Sequence, residues 1–175
     1  MNRSTGRAGA PPQSPALVIN GWRFLAWPDF HARWTRLVAK ASAQRGLQPT
    51  GVLSSPEATM LAALIHVMRD VIAREPNETR AKLKRDLSAW RRVKLLGRFR
   101  LFYRFSSQHK LIILTWLNDQ STLRKEGSST DPYEVFAGML SRGEIPKTWE
   151  ALVAGSLTMT APLPSLESET PQAEG

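Results

Sequence analysis

WRRVKLLGRFRLFYRF, residues 90–105, holds six Lys or Arg in sixteen positions and no acid. Aromatic and branched residues stand between the cations, the composition of β-strand. Leu95-Leu96-Gly97 suits a three-residue hairpin loop with Gly in the left-handed position. That register sets Lys94 opposite Arg98 and Arg92 opposite Arg100. Ser106–His109 suits an even-numbered loop, placing Phe105 opposite Lys110 and making Lys110–Leu117 a third strand. Side chains alternate across a strand. One face then carries Val93, Leu95, Phe99, Leu101, Tyr103, Phe105, Ile112, Leu114 and Trp116, and is the expected core. The other carries Arg92, Lys94, Arg98, Arg100, Phe102 and Arg104, beside Leu111, Ile113 and Thr115. Like charges directly opposite each other cost on the order of a few tenths to one kcal/mol per pair. Two such pairs with no acid nearby break a local rule, and such breaks gather at functional sites. The expected result is an open, concave cationic floor with interleaved aromatics, suited to a phosphate backbone and splayed bases.

The flanking sequence supplies helices. Ile19–Trp27 reads as a short strand, and Phe30, Trp34, Leu37, Val38 and Ala41 then repeat with helical period. Ser55-Pro56-Glu57 is a helix start: a hydroxyl cap, Pro in the first turn and an acid beside it. Leu61, Leu64, Ile65, Met68, Val71 and Ile72 form its apolar stripe, and Pro76 ends it. Thr130-Asp131-Pro132 opens another helix with Tyr133, Phe136 and Leu140 on one face, stopped at Gly143. A last helix runs from about Pro146, with Trp149 and Leu152 inward. The expected class is α+β, two N-terminal helices packed on one face of an antiparallel β-meander, with C-terminal helices closing it. One domain is expected over residues 17–155, between disordered tails at 1–16 and 156–175.

Composition narrows the partners. The chain of 175 residues has no cysteine, which excludes a disulfide scaffold and a Cys-based zinc site and fits a reducing compartment. No apolar run is long enough to span a bilayer, so a cytoplasmic protein without membrane association is expected. Net charge is +9, unevenly placed: ten Lys/Arg and one acid, Asp86, lie between Thr79 and Arg104. The rest of the chain is neutral. A local excess of this kind points to RNA or DNA, against the plainer reading of a solvated basic surface.

Metal chemistry finds little support in the residues. His31, His66 and His109 fall in separate elements, and Asp86, Asp119, Glu126 and Asp131 form no recognisable carboxylate cluster. There is no Gly-rich phosphate loop and no nucleophilic serine elbow. Cations, tyrosine and hydroxyls remain. These suffice to cut RNA, which brings its own nucleophile in the 2′-OH. No cofactor is expected.

"VINGWRFLAWPDF", "WRRVKLLGRFRLFYRF", "HKLIILTWLNDQSTLRKEG" and "TDPYEVFAGMLSRGEIPKTWEALV" resemble the YhaV family of toxins, over about Val18 to Val153. The resemblance implies a RelE-like fold and a cytoplasmic, metal-independent endoribonuclease that inhibits translation by cutting mRNA, on or off the ribosome. It also implies neutralisation by a PrlF-type antitoxin, with the complex repressing its own operon at operator DNA. Carried over motif by motif, it points to Arg92, Lys94, Arg100, Arg124 and Tyr133 as the catalytic set, with Arg98 beside them. Arg98, Phe102, Arg104 and Lys125 are the expected RNA contacts, although Arg104, like Arg91, also suits a sheet-edge cation that snorkels around the core. Tyr133 also lies on an apolar helix face, which suits a core aromatic equally, and Arg124 could instead close its loop against Asp119 or Glu126. No His or carboxylate is placed to take the 2′-OH proton, so either a cation takes it or it goes to water. Arginine keeps its charge at any working pH, which makes Lys94 the candidate among the cations. The competing classes are a non-catalytic RNA- or ribosome-binding protein on the same sheet, and a structural partner that docks an acidic protein.

Overall fold

Asn20 and Gly21 both take left-handed backbone (φ 53° and 80°) and fold the first expected strand into two. Paired left-handed residues at Asn-Gly favour a tight hairpin. β1 (Val18–Ile19) and β2 (Trp22–Ala26) are its arms. The computed structural model describes residues 15–47, 55–78, 83, 85–122 and 128–160. α1 (Pro28–Leu47) follows, then α2 (Pro56–His66), which runs on into a π-helical turn at Val67–Ile72. The Ser55 hydroxyl accepts from the Ala58 N–H at 3.1 Å, the cap its sequence announced. The meander is β3 (Arg91–Leu95), β4 (Phe99–Ser106) and β5 (Leu111–Leu117). α3 (Pro132–Ser141), α4 (Trp149–Gly155) and β6 (Leu157–Thr158) complete the chain order. Asp131 caps α3 through the Tyr133 N–H at 3.0 Å, and Gly143, at φ 73°, ends it.

Among the described residues the fold is α+β, four α-helices on one mixed six-stranded sheet ordered β1-β2-β5-β4-β3, with β6 also on β2. β2 runs parallel to β5, which corrects the expected all-antiparallel sheet. The expected C-terminal tail is corrected at its start: β6 pairs with β2, and Met159 is fully buried. Ala16, placed in the N-terminal tail, bridges to Thr160.

The sheet is covered on both faces, not one. Phe24, Phe30, Trp34, Leu64, Met68, Ile72, Leu101 and Ile112 pack together under α1 and α2. Leu25, Phe102, Leu111, Ile113, Phe136, Leu140, Ile145 and Leu152 form a second core under α3 and α4. The middle of the expected open floor is therefore roofed. Phe102, Leu111 and Ile113 are apolar residues on the cationic face, and burying them offsets the cost of ordering two more helices.

Candidate active site

β3 and β4 pair as Leu95 opposite Phe99, Lys94 opposite Arg100, and Arg92 opposite Phe102. The loop has three residues, as expected, but they are Leu96-Gly97-Arg98, one position later. Leu95 and Phe99 are both buried, so closing the hairpin on them favours the first core while Arg98 stays exposed in the turn. The expected pairs Lys94–Arg98 and Arg92–Arg100 are thus replaced by one cation pair, Lys94–Arg100. This slip moves the partner by two residues, so every side chain keeps its expected face. β4 and β5 likewise pair Phe105 with Ile112 rather than Lys110. Beyond Tyr103 the register shifts, leaving Thr115 as an extra residue, and its hydroxyl donates to the Phe102 carbonyl at 2.8 Å. The bulge turns Trp116 to the opposite face from the one expected, where its ring centroid lies 5.6 Å from that of Phe102.

Arg92, Lys94 and Arg100 stand in a row on this face. Lys94 is exposed, Arg92 half-buried, and Arg100 only 6% exposed. Arg100 Nη1 donates to the Gly97 and Phe99 carbonyls at 3.3 and 3.0 Å, which curls its guanidinium toward the turn. The Nε–H groups of Arg92 and Arg100 are buried with no acceptor in the protein. A buried donor left unmet costs about 1–3 kcal/mol. The buried Nε–H of Arg91, on the opposite face over Phe105, is in the same state, so what sets Arg92 and Arg100 apart is that they share a face with Lys94. Tyr133 stands beside the row. Its ring meets that of Phe102, the cross-strand partner of Arg92, edge-on at 5.7 Å. The other tyrosine, Tyr103, is on the opposite face, donating to the Pro76 carbonyl at 3.0 Å, and burial pushes its phenol upward.

Two expected RNA contacts are engaged inside the protein. Phe102 is fully buried, stacked on Phe136 at 4.3 Å, so it supports the row from beneath and offers no face to a base. Arg104 lies over Trp90 and Trp149 at 5.3 and 5.6 Å and donates to the Lys147 carbonyl at 2.8 Å. It staples the start of α4 to the sheet. Arg98 remains exposed at the tip. Arg124, Lys125 and Glu126 lie outside the described residues, and Asp119 bonds Ser121 and Thr122. The Ser121 hydroxyl holds the Asp119 carboxyl below the usual range. Among the described residues no three His, Asp or Glu side chains are grouped as a metal site would need.

Asn118 and Arg33 escaped the sequence reading. Asn118 is fully buried just past β5, and Arg33 reaches it from α1. The one available signal was an Asn closing the apolar run LIILTWL.

The family described as a toxin with endonuclease activity, of a toxin–antitoxin system, matches residues 24–156. Toxin YhaV of Escherichia coli O6:H1 is 38% identical over 140 residues, covering 77% of this chain and 91% of that protein. Ribonuclease toxin YhaV of Escherichia coli K12 is 37% identical over the same shares. No solved structure matches the chain. With matching sequence over most of both chains, and with the cationic hairpin, the buried aromatic layer and α3 all inside the matched residues, this chain belongs to the YhaV family of toxins with endonuclease activity.

Proposed function

We propose that this chain is a metal-independent endoribonuclease toxin that cuts mRNA by 2′-OH attack and so inhibits translation. One observation carries the reading: Arg92, Lys94 and Arg100 form a row on one sheet face, and two of them hold buried donors without a protein acceptor. The Lys94 amine takes the 2′-OH proton. The freed oxygen attacks the adjacent phosphorus, the bond to the 5′-oxygen breaks, and the products are a 2′,3′-cyclic phosphate and a 5′-hydroxyl. Arg92 and Arg100 hold the charge that develops on the phosphate. Tyr133 is assigned to aid the leaving oxygen, with Arg124 at the same end. Arg98 and Lys125 meet the flanking backbone. The same reading takes the fold as RelE-like, the compartment as the cytoplasm, and the partner as a PrlF-type antitoxin whose complex with the toxin binds operator DNA. Among the described residues no helix is long and apolar enough to cross a membrane.

The test is to incubate the purified protein with an mRNA transcript in EDTA and map new ends. Discrete cuts bearing 2′,3′-cyclic phosphate are expected, and added antitoxin should stop them. RNA bound but left intact would move the protein to the non-catalytic class. Lys94→Arg then isolates the base, because it keeps the charge and removes the titratable amine. It should bind RNA nearly as well as the parent, cut about 10²-fold more slowly, and no longer accelerate as pH rises. A variant cutting at close to the parent rate leaves Lys94 as a phosphate contact only.

A further inference from the structure

Asn118 is a fully buried polar residue placed where the β4–β5 ladder ends, one step past the pair Leu101–Leu117. Its side chain continues the ladder. Oδ1 accepts from the main-chain N–H of Arg100 at 2.6 Å, and Nδ2 donates to the Thr122 carbonyl at 2.8 Å. Its main-chain N–H reaches the Arg100 carbonyl at 3.4 Å. Arg33 Nη1 donates to the carbonyls of Leu117 and Asn118 at 2.8 and 3.1 Å. One residue therefore ties together the start of β4, the end of β5, the 3₁₀ turn Gln120–Thr122 and, through Arg33, α1.

These bonds converge on Arg100. Its main chain is pinned between Lys94 on β3 and Asn118 beyond β5. The direction of a side chain follows its backbone, and Arg100 has little room to correct itself at 6% exposure. An apolar residue at 118 would leave the buried Arg100 N–H unpaired and take the donor from the half-buried Thr122 carbonyl, so the site favours a group that both accepts and donates. Asparagine does both in one plane.

We infer that Asn118 is a positioning residue of this enzyme: it fixes the Arg100 main chain so that the guanidinium is aimed at the scissile phosphate, with Arg33 holding Asn118 in turn. The inference rests on the ribonuclease reading above. A purely structural Asn118 would lower the folded population without altering what Arg100 contributes. A positioning Asn118 loses its effect once Arg100 is gone.

The experiment is a double-mutant cycle on the full chain with Asn118→Ala, Arg100→Ala and the double variant. It uses a short labelled RNA spanning the fastest mapped cut, and each variant is assayed well below its melting temperature. Binding is measured separately with a 2′-O-methyl copy of that RNA, which cannot be cut. Asn118→Ala should slow single-turnover cleavage about 30-fold while weakening binding by less than about 3-fold. On the Arg100→Ala background it should cost less than about 3-fold more. Equal losses on both backgrounds, loss of binding in place of rate, or a parent-like rate for Asn118→Ala would overturn the inference and leave the role of Arg100 standing. A parent-like rate for Arg100→Ala would instead sink the reading of Arg100, and this inference with it. Should Asn118→Ala melt below the assay temperature, Asn118→Ser replaces it, since a serine hydroxyl is too short to span Arg100 and Thr122, and the same outcomes apply.

Discussion

Arg100→Ala should lower the single-turnover rate of RNA cleavage by about 10²–10³-fold, the usual loss when a preorganised donor to developing charge is removed. The effect should fall on rate more than on folding. The guanidinium bonds two carbonyls, those of Gly97 and Phe99, which belong to its own turn and strand. The Arg100 Nε–H has no acceptor to lose. The fold therefore gives up two bonds from a charged donor at the hairpin tip, each worth about 1.5–3 kcal/mol, and this is offset in part by relief of an unmet buried donor worth about 1–3 kcal/mol. Circular dichroism melting beside the rate assay separates the effects. A variant that melts near the parent and cuts hundreds of times more slowly supports Arg100 as the phosphate ligand. A variant that cuts at the parent rate removes the row from the catalytic centre, whatever its stability.

Phe102→Ala should destabilise the fold by about 3–5 kcal/mol, against a typical domain total of about 5–15 kcal/mol. Phe102 is fully buried and meets three aromatic rings: Phe136 stacked at 4.3 Å, Trp116 tilted at 5.6 Å and Tyr133 edge-on at 5.7 Å. Removing it opens a cavity between the sheet and α3, at the position cross-strand from Arg92. Urea unfolding followed by fluorescence gives the change directly. The opposing expectation belongs to an open floor, where Phe102 would stack on bases. There, truncation would leave unfolding within about 0.5 kcal/mol of the parent and weaken RNA binding instead. That outcome would mean α3 does not cover the sheet in solution.

The contrast over Phe102 marks where the sequence stops. Strand period placed Arg92, Lys94, Arg100 and Phe102 on one face, and that held even though both hairpins pair two residues away from the expected register. Parity survives a slip of two, because side chains alternate with a period of two. It does not survive a slip of one. The single extra residue at Thr115 carried Trp116 to the other face, and nothing in LIILTWL marks a bulge, since each of its residues suits a strand in either orientation. The caps at Ser55 and Asp131 and the stop at Gly143 were legible because they depend on bonds within a few residues.

What local chemistry could determine, the sequence determined: the helices and their starts, the two hairpins of the meander, the facing of the cations, and a charge excess with no acid to answer it. Only the tertiary structure decided that α3 and α4 roof the middle of the cationic face, that β2 lies parallel beside β5, and that Trp90 and Trp149 are the rings over which Arg104 lies. It also brought Asn118 to Arg100 across 18 residues and Arg33 to Asn118 across 85. The physical reason is range. Capping and alternation act between neighbours in sequence. Which apolar stripe covers which face, and where a buried amide finds its partners, depends on contacts that exist only once the chain has closed on itself.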